Sequence, residues 1–72
     1  MPEHRKIVES ILLLADEPVP ARLIGEVLEA PRAEIQALLE ELAASYAAEG
    51  RGFVLREVGN GWRLYSDPEC GP

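Results

Sequence analysis

Few side chains in this 72-residue sequence belong to the types that ordinarily carry chemistry. There is one histidine, His4, one cysteine, Cys70, and thirteen carboxylates set against seven lysines and arginines. One Cys with one His cannot assemble a thiolate–imidazole zinc site, and a single Cys cannot close an internal disulfide. A base at His4 has no nucleophile in sequence reach, and no glycine-rich loop is present to cradle a phosphate. His4 reads as a solvated residue beside Arg5, and Cys70, among Gly and Pro, as an incidental thiol. The expectation is therefore a protein without catalytic, metal or cofactor residues. Recognition chemistry is left, carried by arginines, aromatics and exposed apolar groups.

Those groups must be positioned by a small frame. Seventy-two residues make one domain near the lower limit for a self-sufficient core. At 47% apolar and 28% charged, the chain is too rich in Leu, Ile and Val to stay disordered. Its longest apolar run, Ile11–Ala15, is far below the ~20 residues that cross a bilayer. Glu9, Ser10 and Asp16-Glu17 break the pattern of a signal peptide, so a cytoplasmic location is expected. The formal charge of −6 argues against tight, non-specific DNA binding.

Helical periodicity begins at Pro2-Glu3. Ile7, Val8, Ile11, Leu12, Leu14 and Ala15 fall in one arc of roughly 160°, and Leu13 lies outside it. Pro18 and Pro20 end that helix. A short helix over Ala21–Leu28 follows, entered near Pro20, with Gly25 in its middle read either as a point of close approach for another helix or as a neutral glycine. The longest helix runs from Pro31, read as its first residue, to about Glu49. Ile35, Leu38, Leu39, Leu42, Ala43 and Tyr46 form its apolar arc, and Gly50 is its left-handed stop. After Gly52 the period becomes two: Phe53–Val58 and Trp62–Ser66 read as strands, joined at Gly59-Asn60-Gly61, where Asn60-Gly61 suits a turn with positive φ at both positions. Residues 67–72 read as a frayed tail and 1–66 as the domain.

Three helices followed by a two-stranded hairpin is the order of a winged helix-turn-helix, mainly α with a small β-hairpin. Many such domains read DNA with the last helix. Here that helix carries Arg32 against Glu34, Glu40, Glu41 and Glu49, a net of −3, and phosphates would repel it. The hairpin region differs, since Arg51, Arg56 and Arg63 against Glu57 leave a net +2. Those arginines are either weak contacts for nucleic acid or an acidic partner, or a solvated guard on exposed strand edges.

Further residues are candidate protein contacts. Leu13 is a large apolar group outside the core arc, to be covered by a partner or by the hairpin or tail of its own domain. Trp62 and Tyr65 alternate sides of the last strand, so at most one faces the core; Trp62 is read either as packed on the third helix or as an interface anchor. Ala37 and Ala44, with Ala48, oppose the apolar arc, as a seam for close helix approach or as ordinary helix formers.

The ordered set of motifs carries a resemblance. Val8-Glu9-Ser10-Ile11-Leu12-Leu13-Leu14-Ala15-Asp16-Glu17-Pro18-Val19 resembles the opening motif of the segregation and condensation protein B family. Leu38-Leu39-Glu40-Glu41-Leu42 with Tyr46 is similar to a further stretch of it, as is Gly50-Arg51-Gly52-Phe53-Val54-Leu55-Arg56-Glu57-Val58 running into Gly61-Trp62-Arg63-Leu64. The resemblance spans about Ile7 to Asp67. It implies a non-enzymatic, cofactor-free partner of the kleisin, segregation and condensation protein A, and through it of the SMC ATPase in bacterial chromosome condensation. It further implies a nucleoid-associated place in the cytoplasm and a homodimer. Family members carry two winged-helix domains in tandem, and this chain is similar to the first, with 67–72 as the start of a linker. Two departures stand out. The family usually has Ser or Thr where Pro20 and Ala30 stand, and often Phe in place of Leu13. The alternative is a DNA-binding winged-helix transcription regulator that uses its arginine-bearing wing.

Overall fold

A computed structural model describes residues 2–66 of the chain. Its elements are α1 (Pro2–Leu14), α2 (Ala21–Leu28), α3 (Arg32–Glu49), β1 (Phe53–Val58) and β2 (Gly61–Ser66). The expected three helices and hairpin are all present. The tail at 67–72, with Cys70, lies outside the described residues.

Prolines start two of the helices in place of side-chain caps. Pro20 and Pro31 are both extended, with φ near −60° and ψ of 141° and 145°. Each presents its carbonyl to the first turn: Pro20 accepts from Leu23 and Ile24, and Pro31 from Glu34 and Ile35. Pro31 is thus the N-cap of α3 rather than its first helical residue. A fixed φ with no N–H to satisfy makes proline serviceable at such a boundary.

The α2–α3 turn is tight. Glu29 takes a left-handed conformation (φ 54°), and Ala30 N–H reaches the Gly25 carbonyl at 2.9 Å. A Cβ on Gly25 would stand 2.8 Å from the Ala30 carbonyl oxygen. The close approach read from Gly25 is therefore made by the turn carbonyl, while Ile35 of α3 sits at ordinary contact distance, 3.7 Å.

The hairpin departs from expectation at its loop. Val58 pairs with Gly61, so the two-residue loop is Gly59-Asn60, and positive φ falls on Gly59 (60°) and not on Asn60. A glycine with positive φ at the first loop position is the pattern of a II′ turn. Gly61 is needed for something else. A Cβ there would lie 2.8–2.9 Å from Pro18 and the Val19 nitrogen. That bare position lets the α1–α2 connection run against β2, where Val19 and Trp62 exchange two backbone hydrogen bonds of 2.8 Å.

The core sits between the three helices and the inner face of the hairpin. Val8, Leu12, Ile24, Ile35, Leu39 and Leu42 are fully buried, with Tyr46, Leu55 and Trp62 closing the hairpin side. The α3 arc agrees with the sequence reading. The α1 arc does not: Val8 and Leu12 are its buried centre, while Ile7 and Leu14, assigned to the same face, are 40% and 86% exposed. The physical reason is that α2, α3 and the hairpin cover only the stripe centred on Val8 and Leu12, with Glu9 at its margin accepting a hydrogen bond from Tyr46. Ile7 and Leu14 are thereby left at the uncovered edge.

Candidate functional site

Polar side chains in this domain act as ties between elements. Tyr46 of α3 is 4% exposed, and its hydroxyl donates to Glu9 Oε2 of α1 at 2.6 Å. Its ring meets Phe53 edge-on, with centroids 5.0 Å apart. Burial, then the bond to Glu9 and the charge of that carboxylate, push the Tyr46 phenol well above its ordinary range. Arg5 lies 3.8 Å from Glu9 and donates to Ser45 Oγ, and Ser45 donates to Glu49. Gln36 is a second tie: its Oε1 accepts from Trp62 Nε1 at 3.4 Å, while its Nε2 donates to Glu57 and Glu40. Neither Glu9 nor Gln36 stood out in the sequence, although a glutamate at the margin of an apolar arc was a signal that something polar met it.

The sequence candidates separate. Trp62 is 4% exposed and hydrogen-bonded to Gln36 of α3, which is the core-packed position of the two expected for it. Arg51 is held 2.8 Å from Glu49, and this ion pair, with the Ser45 hydroxyl, draws the Glu49 carboxyl below its ordinary range. Ala37, Ala44 and Ala48 are exposed on the outer side of α3. His4 is half-buried and lines a groove with Glu34, Ala37 and Glu41 of α3, in contrast to the solvated position expected. Among the described residues no cluster of His, Cys, Asp and Glu could hold a metal ion.

Three apolar surfaces remain open. The first lies on α1 and α2: Ile11, Val19, Leu23, Ile24 and Val27 line a shallow apolar hollow. Val27 is 65% exposed, and Ile7 and Leu14 flank Ile11 on the same edge of α1. The second lies between α1 and the wing, where Leu13, 76% exposed, shares a groove with Phe53, Leu64 and Tyr65. The hairpin thus borders Leu13 without covering it. The third is the outer face of the hairpin, lined by Val54, Arg56, Val58 and Tyr65. Arg56 lines this third surface, and Arg63 borders the second. Among the described residues no helix is long and apolar enough to cross a membrane.

Comparison with known proteins places these surfaces in context. The family model for "Segregation and condensation complex subunit ScpB" matches residues 6–72. The chain is 37% identical over 67 residues to segregation and condensation protein B of Syntrophotalea carbinolica, covering 93% of itself and 34% of that relative. It therefore spans about a third of the length of the curated relatives it matches. The crystal structure of ScpB from Mycobacterium tuberculosis superposes with a TM-score of 0.94 at 30% identity, over 99% of this chain and 44% of that one. A dimer of the ScpB N-terminal domain complexed with a ScpA peptide superposes with a TM-score of 0.90 at 33% identity, over 99% of this chain and 89% of that one.

Proposed function

The chain belongs to the segregation and condensation protein B family, and from that premise we propose that it is a non-catalytic dimerisation and protein-interaction domain of a bacterial SMC–kleisin complex. Its partners are a second copy and the kleisin, segregation and condensation protein A, and through it the SMC ATPase. The place of work is the nucleoid, in the cytoplasm. The observation that carries this reading is the likeness, over nearly the whole of both chains, to an N-terminal domain solved as a dimer with a ScpA peptide.

The surfaces support it physically. Leu14 and Val27 are large apolar groups left in water by the monomer, and each contributes up to roughly 1.5–3 kcal/mol when a partner buries it. A two-fold dimer uses the same patch on both copies, and the α1–α2 face can serve as that patch. Leu13 and Tyr65 lie on the separate wing groove, open to another segment. The acidic outer side of α3 supports protein contact over DNA reading. Glu34, Glu40, Glu41 and Glu49 are all exposed there, against Arg32 alone.

Sedimentation equilibrium of the chain, alone and with a peptide from the central region of the kleisin, tests the reading. A dimer that takes up the peptide is the expected result. A monomer that ignores the peptide, or a chain that binds duplex DNA tightly with a steep salt dependence, would overturn it.

A further inference from the structure

The outer face of the hairpin holds two like charges side by side. Arg56 of β1 and Arg63 of β2 are direct cross-strand partners. Because Trp62 turns its N–H and C=O to Val19, the Glu57–Trp62 pair lacks mutual hydrogen bonds, and the next pair, Arg56–Arg63, exchanges them. Their Cα atoms are therefore about 5.5 Å apart, with both side chains on the same face. Like charges so placed destabilise a hairpin. Among the described residues neither arginine has a carboxylate within 4.0 Å, unlike Arg5, Arg22 and Arg51. Arg63 instead lies over the Tyr65 ring, 5.7 Å from its centroid. Val54 and Tyr65 pair on one side of the arginines and Val58 stands on the other; Val54, Arg56, Val58 and Tyr65 line an open groove of about 390 Å³, and Arg63, paired to Arg56, stands at its border with the groove that holds Leu13.

We propose that this face binds an extended acidic–apolar peptide, with a carboxylate seated between Arg56 and Arg63 and apolar side chains on Val54 with Tyr65 and on Val58. Residues two apart along a strand share a face about 6.8 Å apart, so a segment reading apolar-x-Glu-x-apolar matches Val54, Arg56 and Val58 in step. The guanidinium fork suits a carboxylate, and desolvation by the flanking apolar groups strengthens the contact. A nucleic acid fits less well. Two arginines neutralise only about two phosphates, and the three apolar side chains would face a charged backbone. The proposal rests on the reading of the domain as a protein-interaction module, but not on dimerisation, which the α1–α2 face can serve independently.

The test uses the intact chain and a fluorescein-labelled peptide containing leucine-serine-glutamate-serine-leucine, with a glutamine version and a 20-base-pair DNA duplex as controls. Polarisation should show the glutamate peptide binding at least about tenfold tighter than the glutamine one. Amide NMR shifts should gather on Val54–Val58 and on Arg63 and Tyr65. Arg56→Glu should weaken the peptide at least about tenfold while raising Tm by about 1–5 °C, since it turns a repulsive cross-strand pair attractive. A loss of binding in that variant is therefore not a loss of fold. Equal affinity for both peptides, no saturable binding to millimolar concentration, preferential binding of the duplex, or shifts confined to α1 and α2 would each overturn the proposal. A change in sedimentation mass on Arg56→Glu would assign the face to a second copy and overturn it also. Failure of dimerisation with peptide binding intact would count against the dimer alone.

Discussion

The hydroxyl of Tyr46 donates a 2.6 Å hydrogen bond to the carboxylate of Glu9, joining the last third of α3 to the middle of α1 across 37 positions of sequence. Because Glu9 is half-exposed and Tyr46 is buried, the bond satisfies the phenol where water cannot reach it. Tyr46→Phe is expected to lower stability by about 1 kcal/mol, or roughly 4–8 °C in Tm for a domain of this size. Thermal denaturation followed by circular dichroism measures it.

The same phenol sets an alkaline limit. Its folded-state pKa is raised above the unfolded value of 10.0, so the neutral form is the one that folding favours. The stability it contributes is complete below that value and is lost progressively as pH rises beyond it. Absorbance titration should show one of the two tyrosines ionising late, and Tyr46→Phe should flatten the alkaline fall in Tm.

Glu49 is displaced in the opposite sense. Hydrogen bonds from Arg51 and Ser45 hold its carboxyl below 4.5, so its stabilising contribution is present above that pH and lost as the solution is acidified through the folded value. Side-chain carboxyl NMR should find Glu49 titrating below its ordinary range. Arg51→Gln should bring it back toward 4.5.

Gly61 and Gly52 are expected to behave differently although only nine residues apart. An added Cβ at Gly61 meets the backbone of Pro18 and Val19 at under 3.0 Å, whereas at Gly52 it meets nothing within 4 Å. Gly61→Ala should cost about 1–3 kcal/mol through overpacking and loosen the Val19–Trp62 bridge. Gly52→Ala should leave stability unchanged or raise it by up to about 1 kcal/mol. Urea denaturation distinguishes them.

Leu13 and Val27 lie on different apolar surfaces, and charge placed on each should part their roles. Val27→Asp is expected to dissociate the dimer without unfolding the chain, since the side chain is 65% exposed in the monomer. Leu13→Asp is expected to leave the dimer intact and to weaken the contact made at the wing groove. Sedimentation of a monomeric Leu13→Asp variant would move the two-fold axis to that groove.

Periodicity was sufficient for the order of elements, because 3.6- and 2-residue repeats mark which side of each element avoids water. The α3 arc from Ile35 to Tyr46 was legible for that reason, as was the fall of Gly50 at its end. Arc width on α1 was not. A helix buries only the stripe its neighbours reach, and here that stripe is centred on Val8 and Leu12 and leaves Ile7 and Leu14 in water. The alternation of Trp62 and Tyr65 limited the core to one of them, but only the Gln36 contact and the Val19 bridge decide that it is Trp62. The arginines of the wing were visible as a net charge. Their meaning depended on register, since a slip of one residue in one strand would put Arg56 and Arg63 on opposite faces of the hairpin. The sequence by itself determined the elements, the acidic α3 and the family. Which apolar side chains are left for a partner was decided by tertiary structure, because burial depends on neighbours contributed by distant parts of the chain.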